Sequence, residues 1–219
     1  MAKRFCVIGL GNFGLHVAKT LYEEGHEVVA IDMNSAKAQK VKDHVSYAIV
    51  CDAANMDFLK EQGIGEMDAV VVSTGEHSHR ATLIALFLNE LRTQRILVKA
   101  VDEDHGRILE KVGATDIIYP EKDMAIKIAH GLASPNILDF IPVSSEDTII
   151  EAAPPQDFIG KSIMDLDLRR QHEVTIIGIK DVLTDRFIAV PPASHIVKDS
   201  ELLILVGKSE NVGEILQKK

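Results

Sequence analysis

Apolar positions in the first half of the chain fall into short runs separated by stretches with helical spacing, the signature of strands alternating with amphipathic helices. The run 5–8, Phe-Cys-Val-Ile, predicts a buried strand and passes without a spacer into Gly9-Leu10-Gly11-Asn12-Phe13-Gly14. Phe13, Val17 and Leu21 then recur at every fourth position, and the pattern stops at Gly25. Further strands are expected over 28–31, 48–50, 69–73, 96–100 and 116–119. Between them, helices are expected over 35–42, from the cap Asn55 to 62, over 77–91 and over 104–112. The run 69–73 is continuous and β-branched, as a strand covered on both faces requires. Six strands joined by helices and short links predict one open parallel sheet, an α/β fold of the Rossmann-like type.

Beyond Glu121 the alternation is lost. One helix is expected over 123–133, with Met124, Ile128 and Leu132 at spacing four, broken by Ser134-Pro135-Asn136. Strands then fit 137–142, 148–153, 174–180 and 202–206, with single helices over 162–171 and 209–216. Pro154-Pro155 and Pro191-Pro192 mark turns or edges, because proline cannot donate to a ladder. The expected organisation is a nucleotide-binding domain over 1–122, a helix and linker over 123–140, and a small α+β lobe over 141–219.

The glycine loop carries the first chemistry. GxGxxG has meaning only between a strand and a helix, and that is its setting here. Gly9 permits the tight turn, Gly11 lets the backbone approach a pyrophosphate, and Gly14 lets helix and strand pack closely. Phosphates would sit on the N–H groups of the helix that follows. Asp32 ends the second strand 18 residues after Gly14, where an acid bonds a ribose hydroxyl and disfavours a 2′-phosphate. Its alternative is a strand-end turn residue.

Ligands of such sheets bind at the carboxyl ends of the strands. Asp52 stands at one end, facing an adenine or a second ribose, or else capping the next helix. Thr74-Gly75-Glu76 occupies another, and Gly75 allows close backbone approach. Lys99 either reaches a phosphate or is a solvated strand end. Glu121 either complements a helix dipole or lies near phosphates with a divalent cation between them.

Composition narrows the classes. Of 219 residues, 46% are hydrophobic and 26% charged, an ordinary globular balance. A net charge of −9 without a basic stripe argues against nucleic acid as a partner. No apolar run reaches the roughly 18–20 residues of a membrane span, and the basic start MAKRF leads into too short an apolar run for a secretory signal. Work at a membrane is therefore expected through a partner. Cys6 and Cys51 fall in strand-like runs, as buried thiols of a reducing compartment do. His77 and His79, two apart on a helix, do not share a face. No nucleophile–base pair, Walker A motif or HExxH is present, so an enzyme is the weaker reading.

The chain resembles the cytosolic regulatory subunits of bacterial Trk/Ktr potassium uptake systems, which are built from RCK (regulator of potassium conductance) domains. The resemblance covers nearly the whole chain. It rests on Val7-Ile8-Gly9-Leu10-Gly11-Asn12-Phe13-Gly14, Gly25-His26-Glu27-Val28, Ile31-Asp32 and Val98-Lys99-Ala100. Above all it rests on Leu109-Glu110-Lys111-Val112-Gly113-Ala114 and Pro120-Glu121-Lys122-Asp123-Met124, with Gly160-Lys161-Ser162-Ile163 and Asp165-Leu166 further on.

The resemblance implies a nucleotide sensor. Its subunits pair through the helix 123–133, which crosses to the partner, and the dimers form an eight-membered ring on an integral-membrane potassium transporter. Exchange of ATP for ADP, or of NAD species, would change the ring and gate the pore. By position, Gly9, Gly11, Asn12, Phe13 and Gly14 would hold the nucleotide together with Asp32. Asp52, Ala53, Thr74, Gly75, Glu76 and Lys99 would complete that site, and Glu121 would help bind a magnesium or calcium ion. Where ATP-responsive members often carry arginine at the fourth loop position, this chain has Asn12, whose amide brings no charge to a phosphate. That places ADP, AMP and NAD(H) beside ATP. In some relatives the second lobe binds cyclic di-AMP through aliphatic residues and an arginine, for which Ile163 and Arg169 are the loosely matching candidates. The alternatives outside this reading are an NAD(H) redox sensor and a small NAD-dependent oxidoreductase.

Overall fold

The computed structural model describes residues 2–75, 77–133, 136–144 and 146–217. Glu76 and the expected helix break at Ser134-Pro135 lie outside the described residues. The chain packs as two compact units, Met1–Glu121 and Lys122–Lys219.

The first unit alternates strands and helices: β1 (Arg4–Ile8), α1 (Asn12–Glu23), β2 (Glu27–Asp32), α2 (Ser35–Val41), β3 (Tyr47–Val50) and α3 (Met56–Glu61). There follow β4 (Ala69–Val72), α4 (Ser78–Glu90), β5 (Ile96–Lys99), α5 (Glu103–Val112) and β6 (Asp116–Ile118). All six strands are parallel, in the order β3-β2-β1-β4-β5-β6. The chain moves outward from β1 to β3, then returns to lay β4 on the other side of β1. That reversal opens a crevice at the carboxyl ends of β1 and β4, where open α/β sheets take ligands.

Successive side chains of a strand face opposite layers, and the core follows that alternation. Val7, Val28 and Ala30 pack with Ala18 of α1 and Val41 of α2. Cys6, Ile8 and Ile31 pack instead with Leu59 of α3, Ile84 of α4 and Leu109 of α5. Ile31 is fully buried, so its truncation to alanine would cost about 2–5 kcal/mol. Burial also pushes the Cys6 thiol far above its ordinary titration range. The helix starts are set locally. Asn34 accepts from the N–H groups of Ala36 and Lys37, Asn55 from Phe58, and Asp102 from His105. Each satisfies donors that a first turn leaves open.

Helix α6 (Pro120–Ala133) begins three residues before the expected start at 123. Proline is suited to that first position because its fixed φ is already helical and its missing N–H would be unpaired anyway. Glu121 therefore stands in the first turn of α6.

The second unit continues with β7 (Ile137–Pro142), β8 (Asp147–Ala152), α7 (Ile163–Leu166), α8 (Leu168–His172), β9 (Thr175–Asp181), β10 (Arg186–Ala189), β11 (Glu201–Lys208) and α9 (Ser209–Gln217). Its five strands are antiparallel in the order β10-β9-β11-β8-β7. Ile150, Ile179, Leu203 and Leu205 pack against Val212 and Ile215 of α9.

The second unit departs from the expected elements at two places. The single helix over 162–171 is two short helices, broken at Asp167 in the left-handed region with φ of 44°. Leu166 and Leu168 are both buried, and residues two apart on one helix cannot share a face; the break lets both turn inward. Strand β10 was not expected. It is an edge strand paired only to β9, and its mostly exposed side chains show no inward alternation.

Candidate functional site

The crevice is built around the glycine loop. Gly9 leaves β1 at φ +92°, and a Cβ there would stand 2.1 Å from the Ser73 carbonyl oxygen. At Gly14, inside α1, a Cβ would meet the Gly9 carbonyl oxygen at 2.0 Å. These two glycines let β1, β4 and α1 meet without a side chain between them. Gly11 differs: a Cβ there would touch nothing within 4 Å, because the position faces open space. Helix α1 starts at Asn12 with no side-chain cap and no acid in its first turn. The first intrahelical donor at this end is Leu15 N–H, bonded to Gly11 O at 2.9 Å. The N–H groups of Asn12, Phe13 and Gly14, which precede it in the helix, have no intrahelical acceptor, and such helix starts favour anions.

Asp32, at the end of β2, is 8% exposed. Its Oδ2 accepts from Leu10 N–H at 2.7 Å, and its Oδ1 from Asn34 N–H at 2.8 Å. Lys37 Nζ stands 3.8 Å from Oδ2. An ionised carboxylate has about four acceptor positions, so capacity remains for a hydroxyl donor.

Around this centre lies a cavity of about 580 Å³, within the usual range for small-molecule sites. Gly9, Gly11, Asn12, Phe13 and Asp32 line it from β1, α1 and β2. Asp52, Ala53, Thr74, Gly75, Lys99 and Glu121 line the remainder. Gly14 lies buried beneath the loop, where its part is packing. Glu76 lies outside the described residues.

Two ion pairs cross the cavity wall. The Arg80 guanidinium bonds Asp52 Oδ1, which also accepts from Ala54 N–H at 2.9 Å. Partial burial pushes the Asp52 carboxyl upward, but the Arg80 hydrogen bond, the Ala54 N–H and the Arg80 charge hold it below the usual carboxylate range. Lys99 Nζ bonds Glu121 Oε1. That hydrogen bond outweighs the opposing effect of burial and lowers the Glu121 carboxyl. Lys99 is thus neither a bare solvated strand end nor free for a phosphate without competition.

Sequence reasoning missed Arg80, along with Lys37, Met33 and His77, which also line the cavity. Arg80 gave a faint signal as a cation in the first turn of a helix that follows a ligand-facing loop. His77 and His79 stand edge to face with ring centroids 6.2 Å apart. Among the described residues, no group of three or more His, Cys, Asp or Glu side chains is arranged to hold a metal. Glu121 alone fits only a cation shared with phosphate oxygens, the usual manner for magnesium. In the second unit, Ile163 begins α7 and packs against the core, while Arg169 is exposed on α8. No helix among the described residues is long and apolar enough to cross a membrane.

Residues 5–120 match the TrkA-N domain and residues 147–218 the TrkA-C domain. The Ktr system potassium uptake protein C of Bacillus subtilis is 35% identical over 212 residues, covering 97% of this chain and 95% of its own. The Ktr system potassium uptake protein A of the same organism is 36% identical over 213 residues, covering 96% and 94%. Among solved structures, the GsuK RCK domain matches in fold with a TM-score of 0.68 at 16% identity. It covers all of this chain, which spans 48% of that longer one. With a TrkA-N domain followed by a TrkA-C domain, and about a third of its residues shared along nearly the whole length, the chain belongs to the family of the Ktr potassium uptake proteins A and C.

Proposed function

We propose that this protein is a regulatory subunit that binds an adenine nucleotide in the first-unit cavity and thereby gates a membrane potassium transporter. The observation that carries the reading is the bond between Asp32 and the glycine loop. A buried carboxylate with spare acceptor capacity sits beside uncapped helix N–H groups, matching a ribose and its phosphates. ATP, ADP, AMP and NAD(H) all present that pair of features. In this reading the loop N–H groups and Lys99 hold phosphate, Asp32 holds ribose, Ala53, Thr74 and Gly75 frame the rest, and Asp52 acts through its bond to Arg80 on the cavity wall.

Glu121 takes part in holding a magnesium or calcium ion only when phosphates supply the other oxygens, since it is paired with Lys99 and, among the described residues, belongs to no group of three or more His, Cys, Asp or Glu side chains arranged around a metal. The chain itself performs no reaction. A nucleotide shifts a two-state assembly only by its difference in affinity for the two states, so the response lies in differential binding.

The assembly is proposed as a homodimer through α6, with dimers closing into an octameric ring on the cytoplasmic face of the transporter. Supporting the dimer, Met124, Ile128 and Leu132 are 53%, 55% and 80% exposed. Their spacing of four places them in one apolar stripe that water disfavours. Cyclic di-AMP near Ile163 and Arg169 is a further proposed ligand.

The test is reconstitution. The protein is co-purified with the potassium transporter encoded in its source genome and placed in liposomes, and potassium flux is read with each nucleotide. Flux that depends on both the protein and the nucleotide is expected. Flux indifferent to the protein, or hydride transfer to a substrate under turnover, would overturn the reading.

A further inference from the structure

We propose that Arg80 reads the phosphate chain of the bound nucleotide and sets the preference among mono-, di- and triphosphates. The inference rests on the nucleotide-binding reading above and names the discriminating residue of that same site.

Arg80 is the third residue of α4. A cation in a first turn opposes the positive end of the helix dipole and is disfavoured there. Among the described residues of this helix start none offsets it: His77 makes no side-chain cap, and the first turn carries no acid. The offset comes from Asp52, 28 residues earlier in the chain. Asp52 follows β3 and Arg80 follows β4, and between those strands the sheet places β2 and β1. The bridge therefore joins elements on either side of the strand ends that carry Asp32 and the glycine loop.

Two positive features, a helix N-terminus and a guanidinium, thus converge on one cavity wall. A phosphate gains from both. Capacity for it exists. The Asp52 bond uses only Nη2 of Arg80, and the other guanidinium nitrogens make no hydrogen bond among the described residues.

The charge balance of the cavity points the same way. Among its described residues, Lys37, Arg80 and Lys99 are met by Asp32, Asp52 and Glu121 in three pairs. Lys37 is 49% exposed and so weakly felt, whereas Arg80 and Lys99 are 23% and 15% exposed. A polyphosphate therefore has two effective cations to recruit. Only Arg80 has the planar fork that engages phosphate oxygens in pairs. Asn12 in the loop supplies no charge, which leaves Arg80 as the forked cation of the cavity that can respond to phosphate number.

Calorimetry on the full chain stripped of ligand tests this against adenosine, AMP, ADP and ATP. Arg80→Gln is expected to weaken ATP and ADP by roughly tenfold or more and adenosine by less than about twofold. Asp52→Asn releases Arg80 from its competitor and is expected to raise the ATP-to-AMP affinity ratio, whatever it does to the nucleoside. It also carries the test should Arg80→Gln fail to fold. Equal losses on all four ligands, or unchanged affinities beside a normally binding parent, would overturn the role of Arg80 alone. A parent that binds none of the four would overturn the nucleotide reading itself, and this inference with it.

Discussion

The backbone N–H of Leu10 donates to the carboxylate of Asp32 at 2.7 Å, so the residue proposed to hold the ribose also holds the glycine loop in place. One side chain serves two purposes because its second oxygen is fixed by Asn34 N–H at 2.8 Å, leaving little freedom to turn away. Asp32→Ala is expected to weaken adenine-nucleotide binding by roughly 1–3 kcal/mol, the cost of buried donors left unmet. Titration calorimetry checks this, and unchanged affinity would remove Asp32 from the site.

Gly14 is a packing residue with no room for change. A methyl group there would stand 2.0 Å from the Gly9 carbonyl oxygen, and backbone cannot yield cheaply. Gly14→Ala is expected to cost about 1–3 kcal/mol, the usual range for overpacking. Urea unfolding would show it as a lower midpoint at unchanged slope.

How far these features are legible in the sequence depends on how local they are. Gly9, Gly14 and Asp32 are legible because strand, turn and helix follow one another at fixed spacing. The caps Asn34 and Asn55 likewise act within three residues. Arg80 is only faintly legible, since its meaning comes from Asp52 across two intervening strands. The break at Asp167 hides in an unbroken polar and apolar pattern and appears only when Leu166 and Leu168 both demand burial. Strand β10 escapes because an exposed edge has no inward face to impose alternation.

Asn12 lines the cavity at the start of α1. Asn12→Arg places a guanidinium beside the proposed phosphate site and is expected to raise the ATP-to-ADP affinity ratio by about tenfold. An identical ratio in both proteins would mean that the position does not face the terminal phosphate.

Ile128 stands mid-stripe on α6, 55% exposed. Ile128→Glu puts a charge into the proposed dimer contact, which would have to be desolvated for the pair to form. Sedimentation equilibrium is expected to shift from dimer or larger species to monomer, while circular dichroism stays unchanged. A monomeric parent protein would contradict the pairing.

Acid stability carries its own signature. The hydrogen bonds from Arg95, at 2.9 and 3.0 Å, hold the Asp116 carboxyl below its ordinary value of 3.8, with help from Thr115. A depressed carboxylate contributes stability above its unfolded pKa and loses it as pH falls through the folded one. Asp116→Asn should therefore be less stable than the parent at neutral pH, with the difference vanishing below the folded pKa of Asp116. Both partners are partly solvated, so the effect is small. A difference that persists unchanged at low pH would refute this origin.

The most direct measurement is nucleotide binding by calorimetry on the full chain stripped of ligand, comparing ATP, ADP, AMP and NADH with and without magnesium. Saturable binding of adenine nucleotides is expected, strengthened by magnesium only for those with more than one phosphate, because Glu121 needs several phosphate oxygens to complete a cation site. Absence of binding by all four would contradict the claim that the glycine loop and Asp32 form a nucleotide site.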